Sequence, residues 1–111
     1  MVLVRNNDIE LTRGDSLYLD VALTQEDGQP YVLGVGDRIQ FTLRRGAKKN
    51  SEDGEILLEK SATALPLRLA PEDTAKFDYG SYVYDVELHL VNGDVFTVVA
   101  MHGFRLTEEV S

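Results

Sequence analysis

The sequence contains no cysteine and no tryptophan, and it has only three prolines among its 111 residues. The absence of cysteine excludes a disulfide framework, a thiolate metal site and a cysteine nucleophile. Lysine and arginine number 11 against 19 aspartates and glutamates, which gives a formal net charge of −8. Such a surface repels nucleic-acid phosphates and anionic lipid. We therefore expect an acidic globular domain with no nucleic-acid partner and no membrane partner.

Long hydrophobic runs are also missing. The apolar residues of the opening segment 1–5 are too few for a signal peptide, and no later stretch approaches the roughly 20 apolar residues of a membrane-spanning helix. We therefore expect synthesis and folding in a cytoplasm. The length is close to the commonest domain size, so we predict a single domain over residues 1–111.

The pattern that the chain does show is an alternation of apolar and polar residues with period two, which is typical of half-buried strands. The alternation is clearest in three segments, 16–24, 38–45 and 81–90. Shorter or less regular candidates are 9–11, 55–60, 65–69, 95–101 and a last segment with Phe104 and Leu106. The pattern predicts an all-β fold of about seven or eight strands in an antiparallel sandwich.

Turn chemistry separates these strand candidates. Asn92-Gly93 predicts a hairpin between the last two long segments. Residues 71–76 begin with Pro71 and continue with two carboxylates, which predicts a single helical turn. The polar residues 46–54 predict a loop.

Asp78, Gly80 and Tyr82 form the most specific local motif. In immunoglobulin-like sandwiches an acidic residue, a glycine and a tyrosine at alternate positions mark the start of strand F, and the tyrosine hydroxyl returns to the backbone of the preceding corner. Tyr84 stands where an antibody domain has its second cysteine. The chain therefore resembles an immunoglobulin-like domain, and we expect Tyr82 to be buried with its hydroxyl bonded to backbone a few residues upstream.

A second resemblance covers most of the chain. The segments that carry it are D-S-L-Y-L-D-V-A-L-T, E-D-G-Q-P-Y-V-L, D-R-I-Q-F-T-L-R-R, I-L-L-E-K, L-A-P-E-D-T-A-K-F-D-Y-G-S-Y-V-Y-D-V-E-L and N-G-D-V-F-T-V. In this order they resemble the small β-sandwich modules of tailed phages and prophages of Gram-positive bacteria, including the N-terminal domain family of phage baseplate upper proteins. In that family the domain joins a tail-tip assembly and has no catalytic residues.

The resemblance implies a non-enzymatic structural or adaptor module of a virion, associated with the tail or baseplate. Its partners would be other virion proteins or further copies of itself, and it would be synthesised in the bacterial cytoplasm. No cofactor and no small-molecule substrate are expected from this reading.

The candidates for chemistry are few. Asp85, Glu87 and His89 share one outward face, which is a weak metal-ligand row. A solvated face is favoured, because the neighbouring strand has outward polar side chains that can pair with these acids across the ladder, namely Arg38, Gln40, Thr42 and Arg44. The chain has no G-x-S-x-G elbow and no glycine-rich phosphate loop. We predict no catalytic residue, no metal site and no enzymatic activity.

Two charged motifs have structural explanations. Arg13-Gly14-Asp15 resembles the integrin-binding tripeptide, but turn chemistry explains it better. A basic cluster, formed by Arg44, Arg45, Lys48 and Lys49, would meet an acidic partner or another copy of the chain. A solvated loop is the favoured reading of that cluster.

The last long strand candidate predicts an interface. Val95, Val99 and Met101 alternate with Phe96 and Val98, so both faces of this strand are apolar. A sandwich strand ordinarily leaves one face polar, so either the terminal segments or another chain covers the second face. The predicted interface residues are Phe96, Val98, Phe104 and Leu106.

A different class of function stays open as the alternative. Sandwich domains also bind carbohydrates or host surfaces through exposed aromatic side chains. Tyr18 and Tyr31 are the candidates for such a platform, and two scattered tyrosines without a tryptophan make a poor stacking surface.

Overall fold

Strands make up most of the regular structure in residues 2–5, 8–45 and 55–108, which are the parts of the chain that the computed structural model describes. Side chains are described for 8–45 and 55–108. In chain order the elements are β1 (Val2–Arg5), β2 (Asp8–Thr12), β3 (Leu17–Leu19), β4 (Arg38–Arg44), β5 (Ile56–Ala62), β6 (Leu67–Leu69), α1 (Pro71–Thr74), β7 (Gly80–His89) and β8 (Val95–Thr107). The helical turn and the Asn92-Gly93 hairpin are confirmed, and the loop predicted over 46–54 lies outside the described residues.

The strands form two sheets. The larger sheet has six strands in the order β1-β2-β8-β7-β4-β5, and the smaller sheet pairs β3 with β6. The larger sheet contains β4, β7 and β8, and the smaller sheet consists of β3 and β6. This division corresponds to strands C, F and G on one side and strands B and E on the other in an immunoglobulin-like sandwich. The predicted all-β sandwich is confirmed. One pair departs from the antiparallel expectation, because β2 runs parallel to β8, with Ile9 opposite Phe104.

The core lies between the two sheets and contains the inward residues of both. Phe41 stacks on Tyr84 with 5.5 Å between ring centroids, and Phe104 meets both rings at an edge. Burying one such side chain stabilises the fold by roughly 1.5–3 kcal/mol. The buried apolar residues of this cluster are Ile9, Leu11, Leu17, Leu19, Ile39, Phe41, Leu43, Leu67, Leu69, Tyr82, Tyr84, Val86, Leu88, Val99, Phe104 and Leu106.

The chain from Val95 to Thr107 is one continuous strand, where the sequence predicted two segments. Its second half pairs with β2 and β7 at once, which places Phe104 and Leu106 on the inner face beside Ile9 and Leu11. Both side chains are only 1% exposed. The prediction that Phe104 and Leu106 belong to an interface is therefore wrong, because the sandwich itself covers them.

Two register shifts in the β7–β8 ladder explain the apparent two-faced pattern of β8. Tyr84 pairs with His102, whereas Val86 pairs with Val99 and Leu88 with Phe96, so β8 contains extra residues relative to β7. Bulged residues break the alternation of side chains between the two faces of a strand. Val99 and Phe96 thus both lie opposite inward residues of β7, although sequence alternation had put them on opposite faces.

The segment predicted as one strand over 16–24 is shorter in the structure. Only Leu17–Leu19 pairs with β6, while Val21 and Leu23 pack on the core from an irregular connection. The edge strand β1 is an element that the sequence pattern did not indicate.

Candidate functional site

The two sheets of the sandwich differ in length. β3 and β6 have three residues each, whereas β7 has ten and β8 has thirteen. The inner face of the β7–β8 hairpin therefore extends past the smaller sheet. At this end the connection 20–37 lies against it, and we call this end, formed by residues 20–37 and the turn at 90–94, the loop end.

An apolar groove lies between the connection 20–37 and the adjoining ends of β7 and β8. Its apolar lining residues are Ala22, Leu23, Tyr31, Leu88, Leu90, Phe96 and Val98, and Thr24, Gln25 and Glu26 complete the wall. The volume of the groove is about 500 Å³. This lies within the range of ligand pockets, roughly 300–1,000 Å³. The groove exists because Phe96 and Val98 point toward the core side of β8, where β3 and β6 are too short to cover them.

A small hairpin over residues 23–31 forms one wall of the groove. The Tyr31 amide donates to the Leu23 carbonyl at 2.9 Å, and the Gln25 amide donates to the Gln29 carbonyl at 2.8 Å. Gly28 closes the turn with a φ of 86°, a conformation that glycine adopts without strain. The wall is thus held by its own backbone hydrogen bonds.

Asp37 joins this wall to the turn of the β7–β8 hairpin. One carboxylate oxygen accepts the Gly34 amide at 2.9 Å and the Tyr31 hydroxyl, and the other accepts the Val91 amide at 3.0 Å. Asp37 is only 4% exposed, so these bonds satisfy a charge that folding removes from water. The hydrogen bonds from Tyr31, Gly34 and Val91 lower the pKa of Asp37, and the bond to this carboxylate raises the pKa of Tyr31.

The strand alternation and the motifs of the sequence do not indicate Asp37. The signal for it was the run Gly34-Val35-Gly36-Asp37 just before a strand, because an aspartate at such a place often bonds neighbouring backbone amides. Its partner at Val91 is 54 residues away, and no local pattern indicates that contact.

The charge of the loop end is uniformly acidic in sequence. Residues 20–37 and 90–94 contain five aspartates and glutamates and no lysine or arginine. Four of these carboxylates, those of Asp20, Glu26, Asp27 and Asp94, are exposed. The next cation along the chain is Arg38 at the start of β4, where it bonds Gln40 at 3.4 Å.

Exposed apolar side chains concentrate at the same end. Among the described side chains the large exposed hydrophobics are eight in number, and five of them belong to the loop end or to the first residues of β8. These five are Val32, Val35, Val91, Val95 and Phe96. A cluster of exposed apolar residues with a polar rim is typical of a protein interaction site.

Of the four predicted interface residues, two lie at the groove and two lie in the core. Phe96 is 52% exposed at the mouth of the groove, and Val98 is half-buried against the core behind it. Phe104 and Leu106 are core residues near the opposite end of β8. The structure brings Phe96 and Val98 together with Tyr31, Leu23 and the end of β7, which the sequence did not group with them.

The corner motif has the geometry that the immunoglobulin resemblance implies. The Tyr82 hydroxyl donates to the Asp78 carbonyl at 2.6 Å, and Gly80 has a φ of 147° at the start of β7. Arg13 supports the same corner by donating to the Phe77 carbonyl at 3.2 Å and to the Tyr79 hydroxyl at 3.1 Å. The arginine of the Arg13-Gly14-Asp15 tripeptide therefore holds the corner.

The outward side chains Asp85, Glu87 and His89 of β7 contact side-chain partners. Arg44 bonds Asp85 at 2.6 Å, as the cross-strand reading predicted, and His89 meets Glu87 at 3.1 Å. Within the residues that the structure describes, no group of three or more His, Asp or Glu side chains is arranged to hold a metal ion. None of the described helical residues form a segment long and apolar enough to cross a membrane.

The other residues that the sequence suggested for binding, the basic cluster and the two tyrosines, do not form a common site. Arg45 pairs with Glu55 at 3.4 Å, while Lys48 and Lys49 lie outside the described residues. Tyr18 points outward from β3, whereas Tyr31 packs against the core and gives its hydroxyl to Asp37. The two tyrosines proposed for a carbohydrate platform therefore face in different directions.

Comparison of the chain with protein-family models, with curated proteins and with solved structures finds no match.

Proposed function

We propose that the chain is a non-enzymatic structural or adaptor module of a phage or prophage virion, associated with the tail or baseplate, that acts by protein–protein assembly. The observation that carries the assembly role is the apolar groove at the loop end, with Phe96 half-exposed at its mouth. The resemblance of the sequence to small tail-associated sandwich modules supports the virion setting.

The energetics of Phe96 favour a partner at this place. Burying a whole phenylalanine side chain is worth roughly 1.5–3 kcal/mol, so covering its exposed half recovers about 1 kcal/mol. Aromatic residues in central pockets supply much of the binding energy of protein interfaces. An acidic rim opposes indiscriminate aggregation through the exposed valines, because like charges on neighbouring molecules repel.

The virion proposal is tested with particles from an induced lysogen that carries the gene. Particles are purified on a density gradient and analysed by mass spectrometry. We expect the chain in intact particles, and we expect deletion of its gene to lower particle yield or infectivity. Particles that lack the chain, or a deletion strain with unchanged yield and infectivity, would contradict the proposal.

Two matched variants connect incorporation to the groove. Phe96→Ser removes the half-exposed ring at the groove, whereas Tyr18→Ser removes an exposed ring from the outer face of β3. We expect Phe96→Ser to lower incorporation about fivefold, corresponding to about 1 kcal/mol, while Tyr18→Ser is incorporated like the wild type. Equal incorporation of both variants would show that the groove is not the assembly surface.

A further inference from the structure

We propose that the apolar groove binds a large apolar side chain of another protein, in a segment where lysine or arginine flanks that side chain. The proposal rests on the assembly role given above and adds the chemistry of the partner. The groove residues that carry the argument are Leu23, Tyr31, Leu88, Leu90, Phe96 and Val98.

The floor of the groove selects for an apolar group. Leu88 in β7, Leu90 just after it, and Phe96 and Val98 on β8 present hydrocarbon. Glu26 is the one charged residue among the described residues of the lining. A polar side chain placed there would lose water without gaining a matched set of partners. The occupant is therefore a leucine-like or aromatic side chain.

The rim of the groove selects for positive charge beside that side chain. Glu26 lines the wall, Asp27 follows it in the turn of the 23–31 hairpin, and Asp94 lies in the opposite hairpin turn. No lysine or arginine occurs in residues 19–37 or 90–104. Complementary potentials steer association and reject partners of like charge. A segment with flanking lysines or arginines satisfies this rim, and a segment with flanking acids does not.

The same charges disfavour a second copy of this chain as the occupant. A two-fold contact between loop ends would place Glu26, Asp27 and Asp94 of one molecule against the same carboxylates of the other. The arginines near the far end of β4 already face carboxylates of their own chain, with Arg44 on Asp85 and Arg45 on Glu55. A basic segment of another protein meets the same rim without this repulsion.

The groove is held in shape before a partner arrives. Asp37 bonds Tyr31 and Gly34 on the connection and Val91 on the hairpin turn, so both walls are tied to one buried carboxylate. A preformed site loses less conformational entropy on binding than one that must be ordered.

The test uses the full chain labelled with ¹⁵N and three short peptides with blocked termini. The first is Lys-Leu-Phe-Leu-Lys, the second replaces both lysines by glutamate, and the third replaces the apolar core by three serines. We expect the first peptide to shift the amide signals of residues 23–31, 88–91 and 94–98 in a saturable way. The glutamate peptide should bind at least about tenfold more weakly, and the serine peptide should cause no saturable shift.

Variants of the chain separate the two parts of the proposal. Phe96→Ser should weaken binding of the lysine peptide about fivefold or more, while Tyr18→Ser should leave its affinity unchanged. The double variant Glu26→Lys, Asp94→Lys should reverse the preference in favour of the glutamate peptide. Unchanged amide signals elsewhere in each variant verify that the sandwich is intact.

Four outcomes would overturn the proposal. They are equal binding of the lysine and glutamate peptides, shifts centred outside the groove, no saturable shift with any peptide, and groove shifts that depend on the concentration of the chain alone. The last outcome would identify a second copy as the occupant. A chain absent from virions that still selects the lysine peptide would contradict the virion role alone, whereas a virion protein that fails to select it would contradict only this inference.

Discussion

The backbone amide of Val91 donates a hydrogen bond to Asp37 Oδ1 across 3.0 Å, although the two residues are 54 positions apart. This bond joins the turn of the β7–β8 hairpin to the last residue before β4. Because Asp37 also accepts bonds from Tyr31 and Gly34, one buried carboxylate positions both walls of the apolar groove. The stability of the loop end therefore depends on the ionised state of Asp37.

The first prediction concerns acid pH. The folded pKa of Asp37 lies below its unfolded value, so the unfolded state takes up the proton first as the pH falls. Its contribution to stability is complete above the ordinary aspartate pKa of about 3.9 and is lost as the pH falls further, through the folded pKa. Urea unfolding from pH 7 down to about pH 2 measures this loss of stability, and we expect the loss to be smaller in Asp37→Asn.

Asp94→Asn is the control for that experiment, since Asp94 is an exposed acid of the same end of the molecule. We expect this variant to lose stability at low pH as the wild type does. If Asp37→Asn and Asp94→Asn followed the wild-type curve equally, Asp37 would not be the group that fixes the loop end.

The second prediction concerns the corner at the start of β7. Tyr82→Phe removes the hydrogen bond to the Asp78 carbonyl and leaves that carbonyl without its phenol partner. We expect the free energy of unfolding to fall by about 1 kcal/mol, the usual value for one such bond. Tyr18→Phe, at an exposed position of β3, should be close to neutral in the same denaturation assay. Equal stability of the two variants would contradict the prediction that the Tyr82 hydrogen bond stabilises the corner.

The third prediction uses two glycines with nearly the same backbone. Gly36 has a φ of 90° and Gly28 a φ of 86°, so alanine is strained at either position. A Cβ at Gly36 would lie 2.6 Å from Val91 Cγ2 and 2.9 Å from Val91 Cβ, whereas a Cβ at Gly28 would meet nothing within 4 Å. We therefore expect Gly36→Ala to destabilise the chain by about 1 kcal/mol more than Gly28→Ala.

Thermal and urea unfolding measure that difference, and the amide signals of residues 90–94 show where it arises. In Gly36→Ala these signals should move, because Val91 must shift to admit the new methyl group. Equal destabilisation by the two alanines would mean that Gly36 and Val91 are not in contact.

The fourth prediction concerns Thr74 at the end of α1. Its side chain is fully buried, and its Oγ1 has no hydrogen-bond partner among the described residues. Thr74→Val replaces a desolvated hydroxyl by a methyl group of similar size, so we expect a stability gain of about 1 kcal/mol. Thr107→Val is the contrasting variant, since the Thr107 hydroxyl donates to the Leu11 carbonyl at 3.4 Å. A loss of stability in Thr74→Val would reveal a partner for that hydroxyl.

The features that the sequence predicted are those with a local cause. Alternation with period two places Ile39, Phe41 and Leu43 on the inner face of β4, and the structure confirms it. Asn92-Gly93 closes the last hairpin because glycine readily adopts the φ of 97° found there. The sequence indicated Phe96 as an interface candidate because it is a large apolar residue on a strand whose two faces are both apolar in the alternation pattern.

What only the tertiary structure decided depends on contacts between distant residues. Phe104 and Leu106 became core residues because the far end of the strand meets β2 in a parallel pair, and no pattern within residues 95–107 encodes that partner. The bulges turned Val99 toward Val86 because the register of a ladder is set by both of its strands. The groove arose because the three-residue strands β3 and β6 leave the inner face beyond Leu88 uncovered, and a length difference between two sheets becomes visible only when they pack.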